Sequence, residues 1–393
     1  MRDVVIVSAV RTPIGRFNGG LSSIPTTKLG SLVIAEALQR ASVPKEEVNE
    51  VIMGNVLEAG EGQGPARQAT LGAGLPKSVS TLTINKVCGS GLKAVMLAAQ
   101  AIQSEDAEVV VAGGMESMSN APYLLEKART GYRMGHGQLV DSMVKDGLWD
   151  VYHDFHMGSA AELCVQKYNL TREALDQFAI TSYRRALEAQ HTSAFKEEIL
   201  PVKVDQGKRA TEVIEDEAPK MFDESKMATL KPAFQNGGAI TAANASSVGD
   251  GAAAVVVMSL EKSMTLGIKP LAKIVGYVSV AQEPAWFTTA PVLAIKALLQ
   301  KTQHNISEID LFEINEAFAA SSLAVYRELN LDSAKVNVRG GSVALGHPIG
   351  ASGARILTTL IHALQSLNKR QGVASLCIGG GESVAMLVER VES

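Results

Sequence analysis

The chain passes twice through the same succession of apolar strands and glycine-rich turns, so its fold has to accommodate two related halves. Met53-Gly54-Asn55-Val56 follows an apolar strand in the first half, and Glu313-Ile314-Asn315-Glu316 takes its place in the second. Cys88-Gly89-Ser90-Gly91-Leu92-Lys93-Ala94 is answered by Gly350-Ala351-Ser352-Gly353-Ala354-Arg355-Ile356. The stretch from Val110 to Ser117 is answered by Leu376-Cys377-Ile378-Gly379-Gly380-Gly381-Glu382-Ser383. The intervals agree within a few residues, which argues for a duplicated unit.

In the second copy a strand from Val384 to Val388 follows almost at once. The first copy should own a matching strand, and the candidate is Ala252 to Met258. The residues between, 119–249, then form an insertion of different composition, rich in charges, methionines, histidines and aromatics. Within it 173–188 reads as an amphipathic helix with Thr171 as N-cap. An excursion of this size suits a lid or binding domain better than a floppy loop. The expected division is residues 1–118 with 250–269, then the insertion 119–249, then 270–393. Two such α/β halves would pack their sheets around shared central helices, and an active site is expected where their glycine-rich strand ends meet.

Cys88 lies between an apolar run ending at Val87 and an Ala-rich run with helical spacing, Leu92 to Ile102, which places it at a strand-to-helix turn. Glycines allow the sharp turn, and the free N–H groups at a helix start favour a thiolate. The plain alternative is a buried cysteine that fills core space. Gly89-Ser90-Gly91-Leu92-Lys93-Ala94 also matches a loose dinucleotide fingerprint, but Asp106 and Glu108 precede the next strand instead of ending it. At 393 residues more than one domain is expected, and a net charge of −4 gives no footprint for nucleic acid. No apolar run is long enough for a membrane span. Cys88, Cys164 and Cys377 are scattered and form neither a disulfide framework nor a metal pattern, so a reducing cytoplasm and no bound metal are expected.

Three stretches of the second half add reactive side chains. Asn315-Glu316-Ala317-Phe318 follows a strand, His347 sits between Gly346 and Pro348 ahead of a helix, and Cys377 precedes three glycines. Singly, each has an ordinary explanation as a cap, a turn residue or strand core. Together with Val87-Cys88-Gly89-Ser90-Gly91 and the run Gly340 to Gly353 they resemble the thiolases, in particular the short-chain acetyl-CoA acetyltransferases. The likeness runs from Arg11-Thr12-Pro13 through Gly113–Met118 and His156-Met157-Gly158 to the end of the chain. It implies a five-layered α-β-α-β-α fold of two duplicated halves, with a loop domain inserted in the first.

The resemblance also implies a mechanism. Cys88 would be the acyl-carrying nucleophile, His347 its base, and Cys377 the group that takes a proton from the α-carbon of a second acetyl-CoA. One oxyanion site would be built from His347 and a water held by Asn315, the other from the backbone N–H groups of Cys88 and Gly379. Coenzyme A thioesters would be substrates, with no permanently bound cofactor. Contacts to coenzyme A would come from His156, Met157, Ala233, Phe234, Ala317 and Phe318, and from Ser246 or its neighbour Ser247. Lys203, Lys208, Arg209, Lys220 and Lys226 could face its phosphates or simply be solvated surface. Met157 and Phe287 would close the acyl pocket, Phe287 standing where short-chain members often carry methionine. A homotetramer built as a dimer of dimers is implied as well. The rival readings are a broader-range degradative 3-ketoacyl-CoA thiolase, a ketoacyl synthase, which would lack a second cysteine like Cys377, and a non-catalytic acyl-CoA-binding protein on the same scaffold.

Overall fold

A computed structural model describes residues 2–206 and 209–391, apart from the side chains of residues 206, 209 and 210. The first half supplies strands β1 (Val4–Arg11), β2 (Glu50–Gly54), β3 (Ser80–Ile84), β4 (Val109–Ser117) and β5 (Gly249–Ser259). Its main helices are α1 (Thr26–Ala41), α2 (Pro65–Gly72) and α3 (Ser90–Gln103). Between β4 and β5 lie α4 (Met157–Tyr168) and α5 (Arg172–His191). The second half supplies β6 (Ala272–Ala281), β7 (Leu311–Ile314), β8 (Gln371–Ile378) and β9 (Glu382–Arg390). Its helices are α6 (Ala290–Thr302), α7 (Ala319–Leu329), the single turn α8 (Ser342–Leu345) and α9 (Ile349–Ser366).

The duplication read from sequence is a duplication of topology. The first sheet has the order β3-β2-β4-β5-β1, with β3, β2 and β4 parallel and β5 antiparallel to its neighbours. The second has the order β7-β8-β9-β6, with β7 and β8 parallel, and a parallel bridge from Phe312 to Val336 stands where a fifth strand would lie. The two sheets touch edge to edge at one corner, where Val5 and Ile6 pair with Lys273 and Ala272. Although residues 119–249 separate β4 from β5 in sequence, the two strands pair from Asp250↔Ser117 to Met258↔Val109, so the excursion leaves and re-enters the half at one point.

Helices α3 and α9 fill the space between the sheets, sharing one apolar core with the inner faces of both. A helix in that position is buried all round, and α9 accordingly carries apolar and small residues on every face. The glycines of the two answering motifs allow the crossing: a Cβ at Gly91 would lie 2.7 Å from Ala354 N, and one at Gly353 2.3 Å from Leu92 N. Helix α1 packs outside the first sheet and α6 and α7 outside the second, each over its own core, which completes five layers. Each Val, Leu or Ile sealed between such layers stabilises the fold by about 1.5–3 kcal/mol.

Helix α5 begins one residue before the expected span and extends to His191, and Thr171 Oγ1 accepts from Ala174 N at 3.2 Å as its cap. The excursion is anchored by ions as well as by apolar contact. Arg11, fully buried at the end of β1, bonds Glu198 Oε1 at 2.6 Å and spans both oxygens of Asp216 at 2.7 and 2.9 Å.

Candidate active site

Strand β3 ends at Ile84, three residues earlier than the sequence suggests, and the chain then makes a tight turn into α3. Asn85 Oδ1 accepts from Val87 N at 2.9 Å; Ser90 Oγ accepts from Lys86 N and donates to Val87 O. This bracing holds Val87 at φ 45°, a left-handed conformation that a β-branched residue adopts only under constraint. The strained residue immediately precedes Cys88, at the mouth of α3. The backbone N–H groups of Gly379 and of Cys88 itself point at the Cys88 sulfur and favour its thiolate. Burial outweighs them, and the thiol is pushed up to about 11. At neutral pH the balance leaves Cys88 a thiol that needs a base.

His347 occupies the bend between α8 and α9, after Gly346 at φ 105° and before Pro348, with its backbone N–H on Ser247 O at 2.8 Å. Its Nδ1 lies 2.6 Å from Ser352 Oγ, and that hydroxyl donates to Pro348 O at 2.9 Å. Ser352 Oγ thus accepts a hydrogen bond from Nδ1–H, and Nε2 keeps its lone pair. Burial, with the Arg355 charge adding to it, lowers His347 to about 3. The imidazole is neutral, as a base must be before it acts.

Cys377 is the second-last residue of β8, and Gly379 follows Ile378 in the turn to β9. Burial raises the Cys377 thiol, and a negative charge on Cys88 would raise it further. The two sulfurs therefore cannot be ionised together at low cost, which suits roles taken in succession.

Cys88, His347, Cys377 and Gly379 line one cavity of about 240 Å³. His156, Met157, Phe234 and Phe287 share its wall with Ser246, Ser247, Ala317 and Phe318. His156 Nδ1 caps α4 by accepting from Gly158 N at 3.0 Å, and its ring stacks on Phe234 with centroids 4.8 Å apart. Phe287 meets Phe318 edge to face at 6.4 Å, and both are buried together with Met157.

Two of the expected residues are not on that wall. Asn315 stands behind His347, its Nδ2 3.4 Å from Nε2, and Ala233 is held off by a bond from its N–H to Ile240 O. Lys203, Lys220 and Lys226 are also absent from the lining; Lys220 pairs with Glu215 at 2.5 Å and Lys226 with Asp223 at 2.9 Å. Lys208 lies outside the described residues, as does the side chain of Arg209. Met118, Leu148, Val248 and Ile349 line the cavity without having been singled out. Met118 and Ile349 lie within recognised motifs, whereas Leu148 and Val248 arrive through the folding of the excursion, which leaves no local signal. Among the described residues no group of three or more His, Cys, Asp or Glu is arranged to hold a metal ion, and no helix is long and apolar enough to cross a membrane.

Duplicated halves enclosing two cysteines and a neutral histidine define an acyl-transfer class of α/β enzyme, and sequence models place it. The thiolase N-terminal domain matches residues 4–261 and the thiolase C-terminal domain residues 268–390, and the chain belongs to the thiolase family. It is 55% identical to acetyl-CoA acetyltransferase 2 of Arabidopsis thaliana over 99% of this chain and 97% of that protein. It is 52% identical to an acetyl-CoA acetyltransferase of Escherichia coli over the whole of both. Among solved structures, the Bacillus anthracis acetyl-CoA acetyltransferase superposes with a TM-score of 0.98 at 43% identity, covering 100% of this chain and 99% of that one. An Ascaris suum thiolase in complex with coenzyme A gives 0.94 at 47% identity, covering 99% and 100%.

Proposed function

We propose that this chain is an acetyl-CoA C-acetyltransferase, joining two acetyl-CoA into acetoacetyl-CoA and coenzyme A and catalysing the reverse thiolysis. The observation that carries the reading is one cavity holding two thiols, a neutral imidazole and two backbone N–H groups trained on the Cys88 sulfur. Nε2 of His347 takes the Cys88 proton as sulfur attacks the thioester carbon, since neither partner ionises alone near pH 7. The N–H groups of Cys88 and Gly379 then bond the oxyanion of the tetrahedral intermediate. Its collapse expels the coenzyme A sulfur, which takes the proton back from His347, and leaves acetyl-Cys88.

Acetylation removes the charge that would oppose ionisation of Cys377. Cys377 gives its proton to Nε2 of His347 and then takes one from the methyl of a second acetyl-CoA, with the enolate oxygen facing the new Nε2–H of His347 and the water held by Asn315. The enolate carbon attacks acetyl-Cys88, and the sulfur of Cys88 leaves with the proton from Nε2 of His347, while Cys377 keeps the proton taken from the methyl. The wall of Met157, Phe287 and Phe318 closes the acyl end and favours four-carbon ketoacyl chains. His156, Phe234, Ser246 and Ala317 line the approach for the pantetheine arm, and Ala233, one step behind, supports Phe234. Residues 1–118 with 250–269 and residues 270–393 act as the two catalytic halves, and 119–249 serve coenzyme A and subunit contacts.

A soluble homotetramer is proposed on a separate observation. Past the short pairing of Tyr123–Leu124 with Val140–Asp141, the chain holds Met134 98% and Leu139 68% exposed, apolar surface suited to a second copy. Sedimentation as a monomer would refute it. Free thiols throughout fit a reducing cytoplasm. The central test is incubation with radiolabelled acetyl-CoA: the wild type should acquire label and Cys88→Ala none. Label on Cys88→Ala at the wild-type level would overturn the assignment.

A further inference from the structure

Behind His347 a line of buried polar groups runs away from the cavity. Arg355 Nη2 donates to Ser342 Oγ at 2.9 Å; Ser342 Oγ donates to Asn315 Oδ1 at 2.5 Å; Asn315 Nδ2 faces His347 Nε2 at 3.4 Å. All four side chains are buried: Ser342 is fully enclosed, Arg355 and Asn315 are 2% exposed, and His347 is 6% exposed. No step of the proposed mechanism uses Arg355 or Ser342.

The direction of each bond follows from what the groups can do. A guanidinium only donates, so Ser342 must accept from Arg355 through its oxygen. A hydroxyl has a single proton, and the remaining short contact, to Asn315, takes it. The acceptor there has to be Oδ1, which turns the amide nitrogen of Asn315 toward His347. Left to itself an amide is nearly symmetric in shape and has no reason to choose one face over the other. At the origin of the line Glu313 Oε2 lies 3.6 Å from Arg355 Nη1, too far for a hydrogen bond.

We infer that Ser342 is a positioning residue: by relaying the donor-only character of Arg355, it locks the Asn315 amide with its N–H groups toward His347 and the enolate oxygen. This rests on the proposed role of Asn315 in holding the enolate site. Ser342 begins α8 and is not on the cavity wall with Cys88 and Cys377, so its influence should fall more on enolate formation than on acetyl transfer to Cys88.

The experiment compares two rates in the full-length wild type and in Ser342→Ala, Ser342→Cys and Asn315→Ala. One rate is acetylation of Cys88 by acetyl-CoA; the other is incorporation of deuterium from D2O into the acetyl methyl. Loss of a correctly aimed oxyanion donor costs ~10²–10³ in rate, and a donor freed to misalign should cost part of that, about 10- to 100-fold in exchange. Acetylation of both Ser342 variants should fall less than exchange does, since its oxyanion donors are backbone groups elsewhere and Asn315 reaches that step only through His347. Exchange at the wild-type rate in both Ser342 variants, beside a loss in Asn315→Ala, would overturn the inference alone. Undiminished exchange in Asn315→Ala would overturn the reading of the enolate site beneath it. A parallel fall of both rates with a lowered melting temperature in the Ser342 variants would assign Ser342 to packing and refute the positioning role.

Discussion

Arg11 offers the sharpest test of how the excursion is held to the first half. It is fully buried, its guanidinium is bonded to Glu198 and Asp216, and it lies 4.9 Å from the centroid of Phe195. Replacing it by methionine keeps much of the apolar stem but leaves two buried carboxylates without their main cation. Breaking one partner of a buried ion cluster costs about 3–5 kcal/mol. Spread over an unfolding entropy of ~2.1 cal/mol/K per residue for a chain of 393 residues, that cost lowers Tm by about 4–6 °C. The exposed-side pair Arg40–Glu36, treated the same way, should lose no more than about 1 kcal/mol.

The penalty should depend on pH in a stated direction. Burial alone would raise Glu198, but Arg11, followed by His362 and Arg339, holds it below the ordinary carboxylate value. A depressed carboxylate stabilises the fold above its unfolded pKa, and that contribution is lost as pH falls through the folded one. In Arg11→Met burial prevails and Glu198 rises, so in acid it takes a proton and the penalty is relieved. The difference in Tm between wild type and variant, measured by calorimetry, should be largest at pH 7–8 and shrink toward pH 4. A difference under about 1 °C at pH 7, against the 4–6 °C expected, or one that does not change with pH, would refute the argument.

Two further outcomes concern the site. Phe287→Val should open the acyl wall, and because one methylene in a hydrophobic pocket is worth ~10–200-fold, the preference for acetoacetyl-CoA over a ten-carbon 3-ketoacyl-CoA should fall at least about tenfold; an unchanged ratio of kcat/KM would show that Phe287 does not close the pocket. With the Cys88 thiol raised to about 11, alkylation of the free enzyme by iodoacetamide should climb with pH through 8, 9 and 10, and with His347 lowered to about 3 the thiolysis profile should lack a histidine limb near 6–7; a plateau of alkylation below pH 8 would mean that a thiolate rests in the site.

What the sequence made legible is what local pattern encodes. The strands of both copies and the turn holding Cys88 are set by residues near one another in the chain, and the place of Ala252 to Met258 in the first half was legible from its counterpart in the second copy. Convergence of His347, Cys377 and Gly379 on Cys88 was legible only through the family's motifs, because nothing local links positions so far apart. The roles of Leu148, Val248 and Ser342 were not legible at all. Leu148 and Val248 reach the cavity through the path of the excursion, and Ser342 gains its meaning from the donor-only chemistry of Arg355 behind it. Nor does sequence weigh burial against a helix start, which is why the Cys88 thiol stands higher than the turn alone implied.

The duplication also explains how two like halves come to hold unlike groups. In the first copy, β4 runs unbroken from Val109 to Ser117 because its partner strand arrives only after the excursion. The second copy has no excursion, so the chain must reverse at once between Ile378 and Glu382, which pair with each other across three glycines. Gly380 and Gly381 lie at φ 88° and 84°, and a Cβ on Gly381 would stand 2.4 Å from Gln282 O. A turn that tight takes Gly379 out of the strand ladder, and its freed N–H points at the Cys88 sulfur. The same motif is thus plain strand in one half and part of the site in the other, and the difference comes from where the inserted residues lie. Lengthening the 379–381 turn should therefore cost acetyl transfer before it costs folding.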